Sequence, residues 1–200
     1  TSLLTDPVTR FEIVVDRGTV QAVSFYRATA LVKRHTFGYR KSVAERELSF
    51  IDGVVRFESH CDSDLDECTW DHLLELPFGV SFDIEMTSAL LEFANIDGDI
   101  AATFDSGRFK GTGMLSPTIS VTAEHAAVSI EYALAPVALT LDLAAGSAAI
   151  TLPAGDYQCN LTADAGEVTT DGITCDPAAS AVLDIHLGDG DIEITGVAAP

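Results

Sequence analysis

FDIEMTSALLEF (82–93), IAATFDSGRFKG (100–111), ISVTAEHAAVSI (119–130), LTLDLAAGSAAI (139–150), CNLTADAGEVTT (159–170) and LDIHLGDGDIEI (183–194) share one pattern. Apolar residues alternate, a tight turn follows (usually at Gly), and the alternation resumes. A seventh copy, FEIVVDRGTVQA (11–22), lies near the start of the chain. The turns fall at Gly18, Ala89, Gly107, Ala126, Gly146, Gly166 and Gly190, so the later copies recur every 18 to 24 residues. A repeat of that length is the mark of a stacked architecture.

The repeat has a consistent inside. Its first slot holds Phe11, Phe82, Ile100, Ile119, Leu139, Cys159 and Leu183, and its second Ile13, Ile84, Ala102, Val121, Leu141, Leu161 and Ile185. The first slot after the turn holds Val20, Leu91, Phe109, Val128, Ala148, Val168 and Ile192. Residues two apart on a strand face one side, so each copy reads as two short strands with one apolar face. The residues between are mostly Thr, Ser, Asp and Glu, which suits a wet outer face. One unit cannot bury its own face, whereas stacked copies form a continuous core. The expected fold is all-β: a β-solenoid or β-roll of about six to seven two-strand repeats of roughly 20 residues. An up-and-down antiparallel sandwich is the alternative, and recurrence of like residues at like slots favours the solenoid.

Residues 26–81 are less regular. RELSFIDGVVRFES (46–59) reads as a β-hairpin, its turn supplied by Asp52-Gly53. CDSDLDEC (61–68) is a polar loop, and WDHLLELPFGV (70–80) a strand ending in a Pro-x-Gly corner. Trp70, the one tryptophan, is expected in the core. No linker interrupts the chain, so 1–200 is expected to form one domain: a first repeat at 11–25, an irregular hairpin and Cys loop at 26–81, and stacked repeats at 82–196.

Apolar residues make up 47% of the chain, and no run approaches the ~20 needed to span a bilayer. Thr1 reads as a processed or trimmed start, with any export signal or anchor expected outside these residues. Cys61 and Cys68 form one local pair, Cys159 and Cys175 another, at spacings unlike those of zinc sites. Two disulfides are the favoured reading, which implies an oxidising compartment. A buried free thiol at the inward slot of Cys159 is the alternative.

Charge is uneven. Residues 57–200 carry 25 acidic side chains against only Arg108 and Lys110, a net of −23, within a chain of net −20. Such a body repels nucleic acid and anionic membranes, and it also serves solubility. Residues 27–46 run the other way: Arg27, Lys33, Arg34, Arg40, Lys41 and Arg46 face one acid, Glu45. This basic segment either docks on an acidic face, in its own molecule or a neighbour, or is a solvated strand and loop.

With those residues in view, CDSDLDECTWDHLLELPFGVSFDIEM, LAAGSAAITLPAGDYQCNLTADAGEVTTDG and HLGDGDIEITG resemble the bacterial putative-adhesin family. That family is built from repeated GSGDV-type turns. The order of a Cys-containing loop, a strand ending in P-x-G-V and an LPAGxY rung carries the likeness, and FEIVVDRGTVQA resembles the family's first repeat. Ala89, Ala126 and EHAAVS depart from the Gly-Asp turn. The resemblance implies a right-handed β-solenoid on the bacterial envelope, either at the cell surface or in the periplasm. It implies no agreed biochemical activity.

Catalytic patterns are scarce. His35, His60, His72, His125 and His186 are scattered, with neither an HExxH pair nor a G-x-S-x-G elbow. Asp142, Asp184 and Glu193 could share outward faces, as solvating carboxylates usually do. Asp62, Asp64 and Asp66 begin an EF-hand-like loop, but Glu67 stands where Gly is required and Leu73 where the bidentate Glu belongs. They remain weak calcium candidates, as do Asp97, Asp99, Asp189 and Asp191 at Gly-Asp turns. No enzyme, cofactor or resident metal is therefore expected.

The favoured function is an adhesin-like module that presents a solenoid face to a protein or carbohydrate, with any membrane contact made through segments outside this chain. End-to-end assembly of copies into a fibre or surface layer is the second reading. Arg27, Lys33, Arg34, Arg40 and Lys41 would face Asp189, Asp191 and Glu193 of a neighbour. Those three acids also crowd what the sequence presents as the last rung, a device against edge pairing.

Overall fold

A computed structural model describes residues 2–4, 6–26, 29–37, 46–60 and 69–198. Among these residues the protein is all-β. Its strands are β1 (Ser2–Leu4), β2 (Arg10–Ser24), β3 (Ala30–Phe37), β4 (Arg46–Ile51), β5 (Val54–Ser59), β6 (Thr69–Leu76), β7 (Ser81–Ala94), β8 (Ile100–Met114), β9 (Thr118–Tyr132), β10 (Ala138–Pro153), β11 (Asp156–Ala165), β12 (Val168–Asp171), β13 (Thr174–Cys175) and β14 (Val182–Val197). No helix among them is long and apolar enough to cross a membrane.

Six of the seven sequence repeats are single long strands, not pairs of short ones. β2, β7, β8, β9, β10 and β14 each run 14 to 16 residues through the expected turn. The burial pattern shows why one strand serves as two walls. In β8, Ile100, Ala102 and Phe104 are buried before the turn, and Phe109 and Gly111 after it. The step from 104 to 109 is odd, so a straight strand would send the second half to the opposite face. A bend at Gly107 turns both halves towards one core.

The corner glycines make this bend through positive φ: 145° at Gly107 and 136° at Gly146. A Cβ on Gly146 would stand 1.8 Å from the Ala126 carbonyl oxygen. Ala89 and Ala126 occupy equivalent corners without positive φ, and both are buried. Two backbone solutions to the same bend therefore serve in the stack, which explains how Ala replaces Gly in two copies.

Successive long strands pair in parallel and in register. Phe11 pairs with Phe82, Phe82 with Ile100, Ile100 with Ile119, Ile119 with Leu139, and Leu139 with Leu183. The inward slots named from the sequence are thus the columns of the core. Stacked Phe rings continue it, Phe11 lying 5.7 Å from Phe57 and 5.8 Å from Phe82. Phe93, opposite Gly111 in register, meets Phe109 at 5.4 Å, while Met114 and Ile130 fill the space that the glycine leaves.

The order of strands departs from chain order at both ends: β6-β2-β7-β8-β9-β10-β14-β11. At one end β5 pairs with the first half of β2 and β6 with its second half, so the irregular segment supplies a rung outside the first repeat. The hairpin β4–β5 forms around Asp52 and Gly53, both at positive φ as the turn requires, and β3 and β1 extend the sheet antiparallel. At the other end β14 lies between β10 and the β11–β12 rung.

The reason for the second inversion lies in side chains. Leu183, Ile185, Leu187, Ile192 and Ile194 are at most 1% exposed in the inserted position. The corresponding slots of β11 and β12 hold Cys159, Leu161, Ala163 and Val168, which carry less apolar surface. Burying the larger set on both flanks gains more, at about 25 cal/mol per Å². The reading of 183–194 as the final rung is corrected accordingly: Asp189, Asp191 and Glu193 stand one level in from the end.

Candidate functional site

Among the described residues, the outward face of the first strand halves carries a cluster of ion pairs. Glu12 on β2 is in register with Arg56 on β5 and with Asp83 on β7. Arg56 reaches Glu58 at 3.1 Å and Glu12 at 3.5 Å, and Arg10 pairs with Asp83. These pairs are largely exposed and add little stability, since water and salt screen the attraction and ordering two long side chains costs entropy. They border an open groove of about 430 Å³ whose walls include Glu12, Arg56, Asp83 and Glu85, with Val14 and Ala101 among its apolar residues. Its lining combines donors, acceptors and apolar surface, the mixture that a polar ligand needs.

Two histidines repeat one arrangement at opposite ends of this face. His60 lies 3.3 Å from Asp16 through Nδ1 and 3.3 Å from Glu58 through Nε2. His186 on β14 lies 3.1 Å from Asp142 on β10 and 3.4 Å from Asp164 on β11. Only the imidazolium can donate from both nitrogens. Hydrogen bonding to Asp16, then to Glu58, raises the His60 pKa, and bonding to Asp142, then to Asp164, raises that of His186. Glu58 is pulled down, first by its bond with His60 and then by that with Arg56. His186 thus spans three rungs as an exposed cross-link, as the outward slot anticipates. His125 is also outward and exposed, whereas His72 is a core residue whose ring lies 5.0 Å from Phe57.

The remaining candidate residues divide clearly. Cys159 and Cys175 form a disulfide joining β11 to β13, so Cys159 is a half-buried bridge partner instead of a free core thiol. Cys61, Cys68, Asp62, Asp64, Asp66, Arg27, Arg40 and Lys41 lie outside the described residues, as does the side chain of Arg34. Lys33 pairs with Glu75 at 2.9 Å on the neighbouring β6, so this part of the basic segment docks on its own molecule. Asp97 accepts from the Gly79 amide at 2.7 Å, Asp99 from the Thr118 hydroxyl, and Asp191 from the Glu167 amide at 2.9 Å. These acids tie connections between rungs. Among the described residues, no group of three or more His, Cys, Asp or Glu side chains is placed to hold a metal ion. Asp142 and Asp184 share the outward face, beside Thr122 and His186 and beside Thr140 and Asn160 respectively, while Glu193 is on the other wall.

The Arg56–Glu58–His60 cluster was not legible in the sequence. Its partners Glu12 and Asp16 lie 44 residues away in the chain, and hairpin alternation does not reveal that β5 also pairs in parallel with β2.

The fold defines the protein as an all-β molecule built on a stack of bent parallel strands in one large sheet. A solved structure shares it: a putative cell adhesion protein from Clostridium sporogenes ATCC 15579, at a TM-score of 0.54 and 12% identity, with 98% of each chain covered. At that identity the likeness is one of fold. No family model matches the sequence, and no curated protein matches it significantly.

Proposed function

We propose that this chain is a non-enzymatic, adhesin-like binding module of the bacterial cell envelope or surface, built as a right-handed β-solenoid of six to seven repeats. The observation that carries this reading is the full-length fold likeness to a putative cell adhesion protein. The Cys159–Cys175 disulfide accords with an oxidising, extracytoplasmic location. The ligand surface in this reading is the groove beside Arg56, whose mixed charge suits a polar carbohydrate or an extended protein segment. Repulsion by the net charge of −20 argues against nucleic acid. Membrane attachment would be made by other segments.

The test is binding of the labelled chain to arrays of immobilised glycans and extracellular-matrix proteins, with Thr103→Trp filling the groove as control. The expected result is retention on a defined subset, reduced at least tenfold by the substitution. No retention on either array, or retention unchanged by Thr103→Trp, would contradict the reading.

End-to-end assembly is the second reading, and one observation favours it. At the β11–β12 end, Leu161 and Ala163 are only half-buried and Val168 is 37% exposed, so the core reaches solvent there. Filaments seen by negative-stain electron microscopy at high concentration, and lost with Val168→Asp, would establish it.

A further inference from the structure

The outer wall formed by the second strand halves has its own charge pattern. Arg108 and Lys110, the only bases in residues 57–200, sit together on β8 and are exposed. Neither forms an ion pair with a described residue, whereas Arg10, Lys33 and Arg56 all do. Register carries both columns across the wall: Arg108 to Ala127, Ser147 and Asp191, and Lys110 to Ser129, Ala149 and Glu193. A cation pair and an anion pair therefore face outward on the same two columns, three rungs or about 14 Å apart. Between them stand four exposed small side chains that let another surface approach closely. Along these two columns only small side chains separate the exposed positive charge from the negative charge opposite it, with Glu92 of β7 in register on the far side of Lys110.

We propose that this wall is the contact surface of a homodimer, two copies meeting face to face about a two-fold axis that runs along the strands between β9 and β10. That operation reverses the order of rungs and keeps the columns. Arg108 then meets Asp191 of the second copy, and Lys110 meets Glu193. Ala127 packs on Ser147, and Ser129 on Ala149. Each pair occurs twice, as an isologous interface demands. An axis along the stack would instead set Arg108 against Lys110, which charge forbids. Asp191 also accepts from the Glu167 amide of its own molecule, at 2.9 Å. The opposing argument is the net charge of −20 on each copy. At 0.15 M salt the screening length is about 8 Å, so distant repulsion is damped while contacts within the interface persist. Four rungs of half-strand give a footprint of roughly 20 by 20 Å, below the standard ~800 Å² per partner, so association in the micromolar range is expected.

The test is sedimentation velocity in 0.15 M salt, with the chain from about 5 to 500 µM, a range chosen to bracket that affinity. The wild type is expected to convert from monomer to dimer across this range. Arg108→Glu/Lys110→Glu and Asp191→Lys/Glu193→Lys should each be monomeric alone, because each sets like charges together at both symmetric contacts. Mixed in equal amounts they should dimerise, since every contact is then complementary; this also shows that both variants are folded. A wild type that stays monomeric, a dimer indifferent to either variant, or a mixture that fails to associate would each overturn the proposal.

Discussion

His186 is held between two carboxylates donated by neighbouring rungs, and its titration reports whether those rungs are adjacent. Its pKa is raised by the bonds to Asp142 and Asp164, so the charged form is favoured in the folded protein. The sign follows: this contribution is complete below the unfolded value near 6.5 and is lost as pH rises through the higher folded value. NMR titration should place His186 above 6.5, and Asp142→Asn should bring it down; a wild-type midpoint at or below 6.5 would contradict the geometry. His60, with Asp16 and Glu58, should behave likewise. The corner of β10 makes a second prediction. Gly146→Ala combines an unfavourable φ of 136° with a Cβ placed 1.8 Å from the Ala126 oxygen. It should cost about 3 kcal/mol in denaturant melts, whereas Ala126→Gly, which adds backbone freedom and removes one buried methyl, should cost about 1 to 2 kcal/mol. Tyr132 supplies a third. Its hydroxyl is buried without a hydrogen bond among the described residues, and burial raises its pKa. Tyr132→Phe should therefore leave stability unchanged or raise it by about 1 kcal/mol.

At the scale of elements, the rungs are unequal. The β11–β12 rung is interrupted at Gly166, exposed over most of its length, and flanked by β14 on one side and only by the two-residue β13 on the other. The disulfide from Cys159 to Cys175 closes a 16-residue separation across this element. Its removal should cost about 3 kcal/mol by chain entropy. Because the rung is terminal, the loss should be local: hydrogen exchange over 156–175 should accelerate while that over 82–150 stays protected. Equal acceleration throughout would show that the stack unfolds as one unit. The sequence identified the elements well where repetition was strict. Every inward slot named from Phe82 to Leu141 lies in its expected column, because alternation and the turn position together determine which side a residue faces. It missed that six of the seven repeats are single bent strands, since alternation on either side of a corner reads as two strands; only the copy at 159–170 is a pair, β11 and β12.

For the whole molecule, what the sequence left open was order. Alternation says which face a side chain takes but not which rung lies next to it, and Leu141, Ile185 and Leu161 are interchangeable as neighbours to that pattern. The inversion of β14 with β11–β12 follows from total apolar surface, and the rung made by β5 and β6 from pairings far apart in the chain. Both binding surfaces rest on this order. The groove needs β5 beside β2, and the paired charges of the outer wall need β14 beside β10. Register places Ala149 next to Glu193, and Glu193 next to Thr169. The most direct measurement is oxidative cross-linking of paired cysteine variants, read by peptide mass mapping. Ala149→Cys with Glu193→Cys should cross-link rapidly, adjacent strands lying within disulfide reach, and Ala149→Cys with Thr169→Cys, two rungs apart at about 9.6 Å, should not. Cross-linking of the second pair in place of the first would restore simple chain order and contradict the account.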